Sequence, residues 1–137
     1  MMDTLLNPVL ALIVWSLLIW VLMYARRIPA MQEAKIDPQD ARHPGSLSSL
    51  PSSARSAADN YNHLHEQPTL FYALCFYAHL SGAASPLMIA LAWAYVIGRV
   101  IHSLVQVTVN LVMVRFSVFC LTSFVLMAMA GLAIANL

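Results

Sequence analysis

Charged residues are scarce in this chain, and their scarcity excludes most classes of soluble protein. Only 9% of the 137 residues are Asp, Glu, Lys or Arg, whereas hydrophobic residues make up 61%. A soluble domain carries roughly 25% charged residues. The composition therefore indicates an integral membrane protein whose length suits one compact helical bundle. The net charge of +1 argues against a nucleic-acid partner, because such proteins normally carry a concentrated basic patch.

Cysteine is also rare. Cys75 and Cys120 both lie in apolar segments, are too few for a disulfide scaffold and lack the spacing of metal ligands. They are interpreted as small buried hydrophobic residues. The run His63-Leu64-His65-Glu66 does not predict a metal site either, because alternate positions do not share a helix face. No metal is expected.

The N-terminus has no Lys or Arg before the first apolar segment and contains Asp3, so the basic region of a cleavable signal peptide is missing. We expect residues 5–25 to be retained as a membrane span. About 20 helical residues at 1.5 Å each cover a hydrocarbon core of roughly 30 Å.

Four apolar segments follow one another and predict an all-α, integral membrane four-helix bundle, a single domain over residues 1–137. The spans are expected at about 5–25, 54–82, 86–113 and 116–135, with one long polar connection at 26–53. The second segment is the least hydrophobic, and it is interpreted as one helix with a polar N-terminal half. Pro68 is expected to kink it or to remove a hydrogen bond.

Basic residues predict the orientation, because cytoplasmic loops carry an excess of Lys and Arg. They fall in the first connection and at the third-to-fourth turn: Arg26, Arg27, Lys35, Arg42, Arg55 and Arg115. Both connections are therefore expected in the cytoplasm and both termini outside.

The third apolar segment contains a polar stripe. Arg99, His102 and Gln106 are spaced by three and seven residues, which places them on one face of a helix. A charged side chain at membrane depth costs about 2.5–3.5 kcal/mol, and such residues are functional-site candidates by default.

Helix two offers a second polar group opposite this stripe, formed by Asn62, His63 and Glu66. A buried guanidinium needs a partner, and Glu66 paired with Arg99 or Arg115 is the obvious hypothesis. Two interpretations stay open. These facing polar residues either fix helix packing, which suits Arg99, or bind a ligand, which suits Glu66 and Arg115 near the cytoplasmic end of the bundle.

Three sequence elements then resemble a known family. They are Asn60-Tyr-Asn-His-Leu-His-Glu66-Gln-Pro68-Thr-Leu-Phe-Tyr72, Arg99-Val-Ile-His102-Ser-Leu and Arg115-Phe116. Together they resemble the MAPEG family, the membrane-associated proteins in eicosanoid and glutathione metabolism. The resemblance covers nearly the whole chain and looks closest to bacterial members of undetermined activity, which implies a bacterial inner membrane.

The resemblance implies a homotrimer with glutathione, as co-substrate, held between subunits near the cytoplasmic face. Glu66 stands where the family binds the glutathione amine, and Arg115 where it has its catalytic Arg. The other residues that the resemblance places around glutathione are Asn62, His63, Arg99, His102, Gln106 and Arg26.

Two functions follow from this comparison. The first is a glutathione-dependent transferase or peroxidase that acts on lipophilic electrophiles. The alternative is a non-catalytic binding or scaffold protein that holds a lipid or small anion between helices. Four departures from the family pattern motivate the alternative. Gln106 and Phe116 replace the Tyr and Ser of some members, and Phe119 replaces a nearby Tyr. Asn62 stands where an Arg is usual.

Overall fold

The computed structural model describes residues 4–137, so Asp3 lies outside the described residues. Within 4–137 the chain is entirely helical, without a strand, and has five α-helices and one short 3-10 helix, Pro38–Ala41. The α-helices are α1 Leu6–Glu33, α2 Ser52–His63, α3 Pro68–Leu80, α4 Pro86–Val107 and α5 Val112–Ala135. Three of them, α1, α4 and α5, are long and apolar enough to cross a membrane. The prediction of an all-α membrane protein is confirmed.

The second predicted helix is two helices, and the prediction of one continuous helix is wrong. Residues 64–67 form a tight turn between α2 and α3, in which the amides of His65 and Glu66 bond to the carbonyls three residues back at 3.0 and 3.3 Å. Pro68 occupies the first turn of α3, where its missing N–H leaves no hydrogen bond unmade. Its ring instead prevents α2 from continuing into α3.

The other helix ends also differ from expectation. The first helix runs on to Glu33, so the predicted loop at 26–53 is partly helical. The third helix ends at Val107 and the fourth begins at Val112. Asn110 explains this boundary, because it adopts a left-handed conformation with φ of 49° and its amide bonds to the Val105 carbonyl at 2.7 Å.

The helices pack in a connected bundle in which α4 contacts α5 most extensively and α2 lies between α1 and α4. Small residues on α2, Ala54, Ala57 and Ala58, are buried and allow close approach of its backbone, as small residues do at membrane helix interfaces. The core is closed by a stacked pair, Phe71 on α3 and Tyr95 on α4, with ring centroids 4.5 Å apart.

At Gly98, α4 and α5 approach each other closely. A Cβ placed on it would collide with the γ-methyl of Thr122, a buried residue, whereas a Cβ on Gly131 would meet open space. Overpacking a core costs about 1–3 kcal/mol, and Ala in a helix is favoured over Gly by about 1 kcal/mol. We expect Gly98→Ala to lower the thermal unfolding midpoint in detergent, and Gly131→Ala, the matched control, to leave it unchanged or raise it. Equal midpoints in the two variants would contradict the close approach.

Candidate functional site

The break after α2 brings His63 against Arg99 on α4. Arg99 is fully buried, and its Nη2 donates a hydrogen bond of 2.5 Å to Nδ1 of His63. An Arg side chain only donates, so His63 accepts at Nδ1 and carries its proton on Nε2. Nε and Nη1 of Arg99 have no hydrogen-bond partner among residues 4–137. A buried cation with unused donors is costly, which makes this the most unusual feature of the bundle.

The imidazole rings of His63 and His102 stack beside this guanidinium. Their centroids are 4.7 Å apart with an interplanar angle of 9°, and Phe119 of α5 meets His63 edge-on at 5.4 Å. The Arg99 guanidinium carbon lies 6.0 Å from the centre of the same Phe119 ring, at the outer limit of a cation–π contact. Nδ1 of His102 is buried and has no partner in the structure. Three predicted residues, His63, Arg99 and His102, therefore form one cluster.

Gln106 continues the stripe but has a partner of its own. Its side-chain oxygen accepts a hydrogen bond of 2.8 Å from Nδ2 of Asn60, and both residues are buried. Asn60 is the first residue of the motif at 60–72 and is not among the predicted site residues. The contact shows that Gln106 joins α2 to α4.

The Asn60–Gln106 contact predicts a stability effect. Gln106→Met leaves the buried Asn60 amide, whose oxygen already lacks a partner, without any hydrogen bond, and we expect a loss of about 1–3 kcal/mol in the free energy of unfolding. Removing both polar groups is close to neutral, so the double variant with Asn60→Leu should be more stable than Gln106→Met alone. Additive losses in thermal unfolding would show that the two amides act independently.

Arg115 lies on the first turn of α5, beside the cluster of His63, Arg99 and His102. A pocket of about 210 Å³, here called the seam pocket, is lined by His63, His102, Gln106, Val112, Arg115, Phe116 and Phe119. Nη1 of Arg115 donates a hydrogen bond of 2.9 Å to the side-chain oxygen of Asn110, which leaves its other N–H groups available. The N-cap residue Leu111 provides no side-chain cap to α5. Arg115 and the positive end of the helix therefore act on the same pocket.

The outer wall of the seam pocket is apolar. Val112 and Phe116 are 62% and 57% exposed, so they face whatever surrounds the bundle. No hydroxyl side chain lines the pocket among the described residues. The seam pocket therefore combines cationic and imidazole groups with an outer wall that suits apolar molecules.

Three other predicted site residues lie apart from this pocket. Glu66 is exposed, and within residues 4–137 it makes no salt bridge with Arg99 or Arg115, which bond to His63 and Asn110 instead. The hypothesised pairing is therefore not formed. The reason is geometric: Glu66 lies in the turn after α2 with its side chain exposed, whereas His63 before it and Gln67 after it are the residues that contact α4.

Asn62 and Arg26 also lie outside the seam pocket. Asn62 is exposed and lines a second pocket on the side of the first connection. Arg26 donates from Nη1 to the Val107 carbonyl at 2.8 Å and to the Ser53 carbonyl at 3.1 Å. It thereby ties the end of α1 to the start of α2 and the end of α4, a contact that no sequence pattern indicated.

Gln67 is a further residue that sequence reasoning missed. Its side-chain oxygen accepts from the Tyr95 hydroxyl at 3.1 Å, and its Nε2 donates to Oγ of Ser123 at 2.8 Å. Gln67 thus holds the α2–α3 turn against α4 and α5. The position of Gln67 directly before Pro68 was the sequence signal for this role.

Comparison with known proteins agrees with this architecture. No curated protein and no solved structure matches the chain. The model of the MAPEG family matches residues 5–135, which is nearly the full length and includes all five helices. The chain therefore belongs to the MAPEG family and is a membrane protein of the glutathione and eicosanoid metabolism type.

Proposed function

We propose that the protein is a glutathione-dependent transferase or peroxidase that acts on lipophilic electrophiles. The observation that carries the proposal is the seam pocket, in which Arg115 lies at the uncapped N-terminus of α5. A free thiol has a pKa of about 8.5, and a neighbouring Arg or a helix N-terminus lowers the pKa of a thiol. Arg115 would hold the glutathione sulfur as its thiolate, which is the nucleophilic form.

Both reactions begin with attack by the thiolate, but on different atoms and with different outcomes. In a transfer reaction the thiolate forms a C–S bond with an electrophilic carbon. Either a leaving group departs from that carbon with the bonding electron pair, or the electrons of a double bond move to the neighbouring atom, which then takes up a proton. In a peroxidase reaction the thiolate attacks a hydroperoxide oxygen and breaks the O–O bond, giving an alcohol and a sulfenic acid. A second glutathione then forms the disulfide and releases water.

The apolar outer wall supports a lipophilic second substrate. Val112 and Phe116 are exposed beside Arg115, and a lipid environment concentrates apolar molecules at such a surface. The proposed partners are therefore membrane lipids and a lipophilic small molecule.

We propose that the protein is a homotrimer, as its resemblance to the family implies, and the small size of the pocket supports a site that is shared between subunits. A volume of about 210 Å³ lies below the roughly 300–1,000 Å³ of sites that enclose a drug-sized ligand. We propose that one chain supplies only part of the glutathione site, that the rest is completed between subunits, and that exposed Glu66 binds the glutathione amine there.

The proposed location is a bacterial inner membrane, with both termini outside and the site near the cytoplasmic face. The support is the placement of the basic residues. Arg115 begins α5, and Arg26 bonds to the end of α4, so both basic connections lie at one end of the bundle.

A non-catalytic function is the second candidate, and a specific observation favours it. The seam pocket offers no hydroxyl donor among the described residues, since Phe116 and Phe119 line it, and the Gln106 oxygen is already used by Asn60. In this version Arg115 holds a lipid or small anion without subsequent chemistry.

A titration of the detergent-purified protein with glutathione separates the two candidates. The enzyme predicts saturable binding in calorimetry and a stoichiometric ultraviolet absorbance of the thiolate at neutral pH. S-methylglutathione, which cannot ionise at sulfur, is the control and should bind without the absorbance. Absence of glutathione binding, together with a co-purified lipid in native mass spectrometry that thiols do not displace, would overturn the enzyme and support the binding protein.

A further inference from the structure

A second pocket, of about 420 Å³, lies between the end of α1, the segment after the 3-10 helix and one face of α2. We call it the loop pocket, and among its lining residues are Arg27, Arg42, His43, Gly45, Arg55 and Asp59. It is about twice the volume of the seam pocket. The proposed glutathione chemistry at Arg115 makes no use of it.

Positive charge is concentrated in the loop pocket. Arg27, Arg42 and Arg55 oppose a single carboxylate, that of Asp59, so the lining carries a net charge of +2 with His43 neutral. The same connection also contains acidic residues, but among the described residues none of them lines the pocket: Glu33, Asp37 and Asp40. The cations are thus separated from the anions of their own segment.

The guanidinium groups are available to a ligand. Nε of Arg42 donates to the Gln39 carbonyl at 3.2 Å, which orients the side chain and leaves its Nη groups unused. Within residues 4–137 no salt bridge joins Arg27 or Arg55 to Asp59. Guanidinium groups bind phosphate oxygens in pairs of parallel hydrogen bonds, so the chemistry of the lining fits a phosphate group.

The position of the loop pocket favours a lipid as the source of that phosphate. Arg26 and Arg27 follow the apolar run of α1, at the level where a membrane helix meets the headgroups. Basic pockets beside membrane helices on the cytoplasmic side bind anionic headgroups. Leu50 and Ala54, which also line the pocket, are buried and give it an apolar floor for the part of the lipid next to its phosphate.

We propose that the loop pocket binds the headgroup phosphate of an anionic phospholipid through Arg27, Arg42 and Arg55. Within one chain the loop pocket is distinct from the seam pocket, because the two share no lining residue. Bound lipid would hold the first connection against α1 and α2.

The test is native mass spectrometry of the full-length protein in detergent, titrated with phosphatidylglycerol or with phosphatidylcholine of the same acyl chains. We expect phosphatidylglycerol to bind about tenfold more tightly. Arg55 is exposed and Arg55→Gln removes one charge from the pocket, so this variant should lose about tenfold in affinity for phosphatidylglycerol. Lys35→Gln is the matched control, since it removes one charge from the same connection outside the pocket, and its affinity should change less than twofold.

Several results would overturn the proposal. Equal binding of the two lipids, or an equal loss in Lys35→Gln, would show that the pocket has no specific role. Displacement of phosphatidylglycerol by millimolar inorganic phosphate, with the same dependence on Arg55, would assign a free phosphate instead. Displacement by glutathione would make the pocket part of the glutathione site. Arg42→Gln should repeat the Arg55→Gln loss, and calorimetry should give unchanged glutathione affinity in Arg55→Gln, which keeps this test independent of the enzyme proposal.

Discussion

Replacing Arg115 by alanine is expected to abolish the thiolate absorbance of bound glutathione at neutral pH. Without the guanidinium the pKa of the bound thiol returns toward about 8.5, so only a few per cent of the sulfur is ionised at pH 7. Raising the pH through that value should restore the absorbance in the variant, since the thiol then ionises without help. The measurement is the ultraviolet difference spectrum of glutathione-saturated protein across pH.

Two variants refine this test. Arg115→Lys keeps the charge but loses the planar group, and it should retain part of the absorbance. Asn110→Gly keeps the left-handed conformation that position 110 requires (φ of 49°) and removes the oxygen that holds Nη1 of Arg115. Asn110 is a positioning residue in this scheme, so its loss should shift the pH profile less than Arg115→Ala does. Full absorbance at pH 7 in Arg115→Ala would contradict the proposed role.

Arg99→Met is expected to increase stability while weakening glutathione binding. Arg99 is fully buried, and its Nε and Nη1 have no partner among residues 4–137. Burying a charge without an opposite charge is costly, so an apolar side chain of similar size at this position should be stabilising. The same change removes the donor that holds Nδ1 of His63, a residue that lines the seam pocket. We expect a higher thermal unfolding midpoint and about tenfold lower affinity in calorimetry.

In Arg99→Met, a higher unfolding midpoint together with a lower glutathione affinity would show that Arg99 positions the site and does not merely pack the helices. If Arg99 only fixes the helices, Arg99→Met lowers the unfolding midpoint and changes glutathione affinity no more than other destabilising variants such as Gly98→Ala. Arg99→Lys is the conservative control, because it keeps a donor near His63 and should recover part of the affinity. A stable variant with unchanged affinity would remove Arg99 and His63 from the proposed site.

Much of the fold was predictable because its signals are local. Hydropathy along the chain identifies α1, α4 and α5 as apolar helices, and the spacing of Arg99, His102 and Gln106 places them on one helix face. Their burial on that face is confirmed. The helix ends were harder, since the left-handed Asn110 and the turn before Pro68 depend on one or two residues each.

The contacts between helices were not predictable in the same way. The pairing of Glu66 with a guanidinium followed from charge alone, yet Arg99 bonds to His63 and Arg115 to Asn110. Asn60 and Gln67 bond across the bundle, and an amide side chain in a sequence does not by itself indicate which helix it contacts.

Composition, periodicity and motif are enough to establish the membrane class, the helical architecture, the family and the polar stripe of α4. Which polar groups meet depends instead on how the helices are turned against one another. The break at 64–67 and the rotation of α2 against α4 turn His63 toward Arg99, leave Glu66 exposed and direct Asn62 to the loop pocket. A rotation of a helix about its axis changes the partners of its side chains but not the order of its residues. The sequence alone therefore does not reveal that rotation.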